Sequence, residues 1–416
     1  MTRYRPRIAD RLLHDALAAL GAVVIEGPKS CGKTETARRH AASEVLLDLD
    51  SQAQEAAAVD PRLILDGAAP RLIDEWQRQP RMRDAVRREV DRRGSKGQFI
   101  LTGSATPSDE ASRHSGAGRM AVVEMRPMTL YEQEISSGLI SLGDLLDDRE
   151  SPSGKAALDL ADYVERIVIG GWPALLESSL RDAAQFIKGY LALIIEHDVD
   201  LISGARRDPR RVRRFLEAYA QLTAHPAALS TIVSRATGET ADGPSRWAAA
   251  PYLDALRRLM IVDEVDAWNP ELRSRTRLMS TPKRHLVDPS LAAALLRSTP
   301  DRLLGDLRTL GFLFESLATR DLRVYAAAND ASLFHYRERG GELEVDLIVE
   351  RDDGAWIALE VKLGGEQIDR AAAALTRLAR ARARRSPAAL VVITATEYAY
   401  KRPDGILVAP LGLLGP

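Results

Sequence analysis

The sequence predicts an α/β chain in three parts: a parallel-sheet domain carrying a phosphate loop, a largely helical middle, and a smaller α/β domain at the C-terminal end. Three observations predict it. From Gly21 to about Met125, short apolar runs alternate with helix-compatible stretches. The first of those runs leads into a glycine-rich octet, Gly27 to Thr34. From residue 301 onward the pattern changes to a long helix, a hairpin and closing strands, with acids and a lysine on one strand face.

Composition bounds the function classes. The chain has 416 residues, 45% apolar and 28% charged, which fits a globular protein of roughly two or three domains. Boundaries are expected at 1–135, 136–300 and 301–416. With a net charge of −1, no global field draws in nucleic acid or membrane, so any such contact must be local. The single cysteine, Cys31, rules out an internal disulfide and fits a cytoplasmic protein. The N-terminal stretch MTRYRPRIADRLLHDAL is basic without an apolar segment, and no run approaches a membrane span.

Ala22-Val23-Val24-Ile25 reads as the first strand, and Glu35 to His40 as the start of a helix. Between them lies Gly27-Pro28-Lys29-Ser30-Cys31-Gly32-Lys33-Thr34, the Walker A pattern. Gly27 and Gly32 permit backbone conformations closed to bulkier residues, so successive N–H groups can face phosphate oxygens. The helix opening at Lys33 directs its positive end at the same anion. Lys33 is placed to reach the β/γ-phosphates, and the Thr34 hydroxyl to ligate Mg²⁺. A nucleoside triphosphate, ATP, is the expected ligand. Cys31 lies inside this loop, so its alkylation is expected to block binding.

Further strands are expected at Val45–Leu49, Leu72–Ile73, Phe99–Leu101 and Ala121–Val123. Continuous apolar strands with helical spacers indicate a parallel sheet covered on both faces. Asp74-Glu75 closes the third run as a Walker B pair at the strand end where α/β proteins bind ligands. Asp74 is expected to hold Mg²⁺ and Glu75 to polarise the attacking water. Thr102 or Ser104, after the fourth strand, is a candidate to hold that water or sense the γ-phosphate; a plain strand exit is the bland alternative. Arg119, on the loop Ser115-Gly116-Ala117-Gly118-Arg119, is a candidate for stabilising transition-state charge in cis or from a neighbouring subunit of a homo-oligomer. A solvated arginine is the other reading. The charge run from Arg78 to Gly97 reads as a solvated helix face more than a nucleic-acid stripe.

The phosphate loop, Asp74-Glu75-Trp76-Gln77, Leu101-Thr102-Gly103-Ser104 and Gly118-Arg119 come in the order seen in AAA-type bacterial and archaeal ATPases. The chain resembles the members whose C-terminal region is a domain of unknown function. Met125 to Glu132 (MRPMTLYE) and Gly170-Gly171-Trp172-Pro173 match two further signatures, so the resemblance covers nearly the whole chain. It implies an ATPase, and related C-terminal domains look nuclease-like without necessarily cutting.

The stretch 136–156 is rich in Ser, Gly and Asp and marks a boundary or surface excursion. Leu229 to Val265 has the outline of a winged helix: short helix, polar turn (237–243), longer helix, strand. The longer helix offers little that reads a base edge, so a structural spacer is favoured over a DNA reader. His197 with Asp198 and Asp200 lacks further ligands at metal spacing.

In the C-terminal part, a helix over 310–322 carries Glu315, and strands follow at 333–336, 343–349 and 356–363. A three-residue loop, Asp352-Asp353-Gly354, sets Arg351 opposite Ala355 and therefore Asp346 opposite Glu360. Facing carboxylates repel unless a cation lies between them. Mg²⁺ together with Lys362 would satisfy the arrangement. This D-x(n)-E-x-K layout resembles that of the restriction-endonuclease-like fold, PD-(D/E)XK, and Glu315 fits the helix acid that often joins such sites. The resemblance implies that Glu315, Asp346 and Glu360 hold Mg²⁺ while Lys362 serves the attacking water; a surface ion pair is the alternative. The expected whole is a parallel-sheet P-loop NTPase domain, a helical or winged-helix middle and a C-terminal α/β restriction-endonuclease-like domain. Function is expected to be Mg²⁺-dependent ATP hydrolysis coupled to that domain, with DNA or RNA as a candidate partner and no membrane. The alternative is a nucleotide-gated switch whose C-terminal domain binds a partner without cleaving.

Overall fold

A computed structural model describes residues 4–103, 116–204, 206–237, 246–269, 280–338, 340–382 and 385–416. Ser104, Ser115 and most of the polar turn at 237–243 fall outside them. The chain packs as two compact units. One comprises Met1–Pro127 with Asp198–Arg206 and Asp254–Ile261; the other comprises Met128–His197, Arg207–Leu253 and Val262–Pro416.

The first unit is built on α1 (Ile8–Ala19), β1 (Ala22–Glu26), α2 (Lys33–His40), β2 (Ser43–Leu46), α3 (Ser51–Val59), β3 (Arg71–Asp74), α4 (Met82–Arg93), β4 (Phe99–Thr102) and β5 (Met120–Glu124). Its five strands are all parallel, in the order β2-β3-β4-β1-β5. Alternation along β1 serves both faces: Val23 and Ile25 pack with Leu13 and Ala37, and Val24 packs with Val86 and Val90. Each such fully buried side chain contributes about 1.5–3 kcal/mol, so a sheet covered on both faces is what these continuous apolar runs favour. The parallel order brings the C-terminal ends of β1, β3 and β4 side by side. Helix α4 explains the charge run. It buries Met82, Val86 and Val90 and pairs its charges along its own surface, Glu89 with Arg92 at 2.5 Å and with Arg93 at 2.6 Å.

The second unit contains β6 (Gly154–Lys155), α5 (Leu160–Ile169), α6 (Leu180–Leu193), α7 (Pro209–Ala220), β7 (His225–Pro226), α8 (Leu229–Thr237), β8 (Val262–Val265), β9 (Lys283–Leu286), α9 (Pro289–Leu295), α10 (Leu307–Ala327), β10 (Ala331–Arg337), β11 (Glu344–Arg351), β12 (Trp356–Lys362), α11 (Ile368–Arg382), β13 (Ala389–Thr394), β14 (Tyr398–Lys401) and β15 (Leu407–Pro410). A further helix spans Arg246–Arg258. A small sheet runs β7-β9-β8 and a large one β10-β11-β12-β13-β15-β14-β6. Strands β10 to β12 form an antiparallel meander, and β13 joins β12 in parallel after α11. On one face Ile348, Trp356 and Ala358 pack with Ile368, Leu375 and Leu378 of α11.

Most of 136–300, all but Asp198–Arg206 and Asp254–Ile261, lies in this unit together with 301–416, two stretches expected as separate domains, and α5, α9 and α10 pack on one another. A buried ion triad ties them. Arg320 on α10 bonds Asp288, the N-cap of α9, at 2.9 Å, and its neighbour Asp321 at 2.8 Å. Asp288 also accepts from Gly171 N at 2.9 Å, and Asp321 from Leu130 N at 2.9 Å. Met128 N donates to Gly171 O at 2.6 Å, and a Cβ on Gly171 would stand 2.2 Å from Met128 O. Residues 128–132 and the Gly170–Pro173 signature thus meet at one structural joint, which requires glycine at 171.

Candidate functional site

The loop after β1 folds as a phosphate cradle. Gly32 adopts φ 103° as the N-cap of α2, and Ser30 sits at φ 62°. A Cβ on Gly27 would lie 2.4 Å from Met125 O, so only glycine lets the loop pass β5. The Lys33 ammonium, nearly buried, donates to Gly27 O at 2.9 Å and Pro28 O at 2.8 Å. No carboxylate pairs with it among the described residues, so its charge stays uncommitted.

Asp74 ends β3 beside this lysine's helix. Thr34 Oγ1 lies 3.2 and 3.1 Å from its two carboxylate oxygens, and Thr102 Oγ1 also bonds it. Burial pushes the Asp74 carboxyl above its ordinary range; the Thr102 hydroxyl pulls it back, and the Glu75 charge raises it further. Glu75 follows at φ 53°, a left-handed conformation unusual for a non-glycine residue. Its carboxylate accepts a hydrogen bond from the Gln77 amide. Donor groups, a hydroxyl, a buried carboxylate and an unpaired lysine therefore converge at the sheet's C-terminal edge, a set that fits a nucleoside triphosphate with Mg²⁺.

Several expected residues stand differently. The Thr102 hydroxyl is committed to Asp74 rather than directed at a γ-phosphate, because its fully buried side chain meets that carboxylate across the β3–β4 pair. Cys31 contributes backbone only: its thiol is buried with Val23, Ile25 and Ala37, so alkylation has no open path to it. Lys29 turns onto Asp198 at 2.7 Å. Arg119 does not reach the loop in cis. Its carbonyl bonds Ala22 N and it precedes Met120, the partner of Ala22, at the opposite edge of the sheet. Four residue steps of about 3.3 Å put it roughly 13 Å from the end of β1. Its guanidinium pairs with Asp91 at 2.9 Å.

Sequence reasoning missed three supports. Gln77 holds Glu75, Asp198 holds Lys29, and Arg7 donates to Cys31 O at 2.8 Å. Gln77 lies two residues from Glu75 and was findable; the other two reach the loop from distant segments.

A second cluster lies at the end of the β11–β12 hairpin. The paired register, Leu347 with Leu359 and Ile348 with Ala358, stops one step short of Asp346 and Glu360, whose carboxylates both meet Lys362. Lys362 Nζ bonds Asp346 at 2.9 Å and Glu360 at 2.5 Å, and Val361 N donates to Asp346 at 2.9 Å. Glu315 on α10 joins them through a residue the sequence did not flag. Lys283 Nζ on β9 lies 2.7 Å from Glu315 Oε1 and 3.5 Å from Asp346 Oδ1. Burial raises Glu360 to about 8 and Glu315 to about 7, with the Asp346 charge adding to both shifts. Burial opposes ionisation of Asp346, but Lys283 and Lys362 outweigh it and hold that carboxyl well below its usual range. Among the described residues no group of acids, histidines or cysteines is arranged to hold a metal ion. The set does not fit the expected Mg²⁺, because lysines occupy the oxygens the ion would need.

The parallel sheet and glycine-rich loop of the first unit are those of a P-loop NTPase-like domain. Residues 20–134 match the model of an AAA domain, and residues 160–302 and 310–414 each match a domain of unknown function, DUF8612 and DUF4143. The chain is similar to two uncharacterized proteins, from Mycobacterium tuberculosis and Mycobacterium bovis. Each is 27% identical over 351 residues, covering 83% of this chain and 71% of the relative. Among solved structures it aligns with a Walker-type ATPase of Pyrococcus abyssi at TM-score 0.42 and 13% identity, covering 71% of this chain and 99% of that one. A RuvB mutant of Thermotoga maritima aligns at TM-score 0.27 and 16% identity, over 63% of this chain and 94% of that one. No helix among the described residues is long and apolar enough to cross a membrane.

Proposed function

We propose that this protein is a Mg²⁺-dependent ATPase, acting in the cytoplasm, whose nucleotide cycle drives the C-terminal part of the chain. The observation that carries the reading is Lys33: a nearly buried ammonium resting only on loop carbonyls, beside the Thr34–Asp74 pair. Such a cation gains most when an anionic phosphate replaces the carbonyls. The loop Gly27 to Thr34, through its backbone N–H groups at every position but Pro28 and through the Lys33 ammonium, would hold ATP, and Thr34 with Asp74 would hold Mg²⁺. Bound Mg²⁺ supplies charge neutralisation on the phosphate oxygens. Glu75 orients a water and accepts its proton, a role that requires it to leave Gln77.

Supporting a nucleic-acid partner, α7, β7, α8, the helix Arg246–Arg258, β8 and β9 follow in winged-helix order, with the sheet order β7-β9-β8. Supporting a restriction-endonuclease-like C-terminal fold, α10, the β10–β12 meander, α11 and β13 surround the Asp346–Glu360–Lys362 layout. The second reading, a nucleotide-gated switch whose C-terminal domain binds a partner without cleaving it, is favoured by Lys283 in the acid cluster. One experiment separates them: ATP turnover with and without DNA or RNA, scoring strand integrity in the same tubes. Turnover that responds to nucleic acid left intact supports the switch; Mg²⁺-dependent cleavage lost on Glu360→Gln supports the nuclease. No ATP turnover under any condition would overturn both.

A further inference from the structure

We infer that Lys283 is a resident counter-ion standing where a divalent cation would otherwise bind, so the cluster at Glu315, Asp346, Glu360 and Lys362 is complete without metal. This goes beyond the ATPase reading and does not depend on it.

The Lys283 ammonium touches the kinds of oxygen a hard divalent cation selects. It lies 2.7 Å from a Glu315 carboxylate oxygen, 3.5 Å from Asp346 Oδ1 and 3.3 Å from the Asp346 backbone carbonyl. Glu344 Oε1 stands 4.0 Å away. An ammonium has three protons, and these three near contacts take them. The remaining oxygen of Asp346 is already shared by Val361 N and Lys362 Nζ, each at 2.9 Å, and Lys362 holds Glu360 at 2.5 Å. An incoming ion would find no free carboxylate pair and would meet two ammonium groups of its own sign.

Nor is Lys283 free to swing aside. It sits on β9, the central strand of the small sheet, with Pro226 on one side and Val265 on the other. Its side chain is 1% exposed, so leaving the cluster would strand a charge inside the protein. A lysine with a long flexible stem on the surface would be a visitor; this one is built in. The three acids come from three elements, α10, β11 and β12, and Lys283 comes from a fourth. Cross-linking those elements by charge is work a bound metal would do, and here the chain supplies it itself.

The test uses the full chain, nucleotide-free, carrying Asp74→Asn so that the phosphate site holds no metal. Mn²⁺ is the probe, followed as loss of its free-ion electron-paramagnetic signal and as a melting-temperature shift. With Lys283 present, neither readout should respond. Lys283→Met should take up one Mn²⁺ with an affinity at least about tenfold above any seen with Lys283, and its melting temperature should rise with Mn²⁺. Adding Asp346→Asn should abolish both responses. Lys283→Gln, which keeps a hydrogen-bond donor without charge, is the second variant should the methionine one fail to fold. Folded Lys283 variants that take up no Mn²⁺ would overturn the inference. So would Mn²⁺ binding in the presence of Lys283 that disappears on Asp346→Asn, a measurement that needs no Lys283 variant to fold.

Discussion

The two charged sites use the same kinds of residue, lysines and carboxylates, to opposite ends. At the phosphate loop a buried lysine rests on neutral carbonyls, and the nearby carboxylate, Asp74, is held by hydroxyls. At the hairpin two lysines are spent on three carboxylates, two of them at 2.7 Å or closer. The first arrangement leaves a positive charge and a negative charge each short of an ionic partner, so a phosphate and a metal ion complete it. The second is complete already. What distinguishes a binding site from a structural cluster is therefore whether its charges are answered, which the residue types alone do not disclose.

The largest expected effect tests the uncommitted lysine. Lys33→Ala should abolish tight ATP binding while leaving the melting temperature nearly unchanged, since the lost partners are carbonyls that loop amides and water can serve. Titration with labelled ATP and a thermal melt check both halves; unchanged affinity would remove the phosphate-loop assignment. Glu75→Gln comes next. The amide keeps shape but cannot accept a proton, so turnover should fall by about 10²–10⁴-fold with ATP affinity retained. A drop in affinity at unchanged turnover would mean the roles of Asp74 and Glu75 are reversed.

For the answered lysine the pattern should invert. Lys362→Met leaves Asp346 facing Glu360 without its cation, and removing one member of a buried pair costs about 3–5 kcal/mol. Denaturant unfolding of the second unit's tryptophans should report that loss, with ATP affinity unaltered. A cost below about 1 kcal/mol would return these residues to the class of surface ion pairs.

Titration sharpens the contrast. Glu360 and Glu315 have carboxyl values raised to about 8 and about 7. Between their ordinary values near 4.5 and those raised ones, the folded state binds more protons than the unfolded state. Stability from these two groups is thus full below about pH 4.5 and is lost as pH rises through 7 to 8. Each proton contributes a slope of at most about 1.4 kcal/mol per pH unit. Asp346, Lys362 and Lys283 face Glu360 or Glu315 and stay charged throughout. Glu360→Gln should flatten the decline in unfolding free energy between pH 5 and 8; an unchanged slope would place the titration elsewhere.

What could be read ahead of the structure followed sequence distance. The loop, its lysine and its hydroxyl are consecutive, and Asp74 closes a strand whose apolar run announces it, so the candidate site's layout at the end of β1 and β3 was legible. The hairpin register was legible because one tight turn fixes it, and the pairs from Glu350 with Trp356 to Leu347 with Leu359 follow it. Lys283 was not, because it arrives from another strand, 63 residues ahead of Asp346, with no local pattern marking it as a partner. Thr102 was placed correctly on its strand, but the sequence does not say which neighbour its hydroxyl meets. The union of the middle and C-terminal parts rests on Asp288, Arg320 and Asp321, whose pairing spans two helices.

Arg119 shows the limit most plainly and gives the smallest expected effect. A glycine-flanked arginine before a strand suggested a finger for the phosphates, but the sequence did not say which end of the parallel sheet its loop occupies. The loop enters β5 at the N-terminal edge, and the guanidinium is pinned to Asp91 on α4. Within one chain, Arg119→Ala should therefore alter turnover by less than about twofold, since no charge near the cradle changes, and cost at most about 1 kcal/mol for an exposed pair. If a homo-oligomer presents this edge to a neighbour's phosphates, the same substitution should instead slow hydrolysis at least about tenfold, equal to ~1.4 kcal/mol. Mixing Arg119→Ala with Glu75→Gln then decides. Each chain lacks what the other supplies, so mixed assemblies regain activity only when the arginine of one chain serves the site of the next. A large loss in the single variant without recovery in the mixture would mean that Arg119 acts on its own cradle, contrary to its place at the far edge of the sheet.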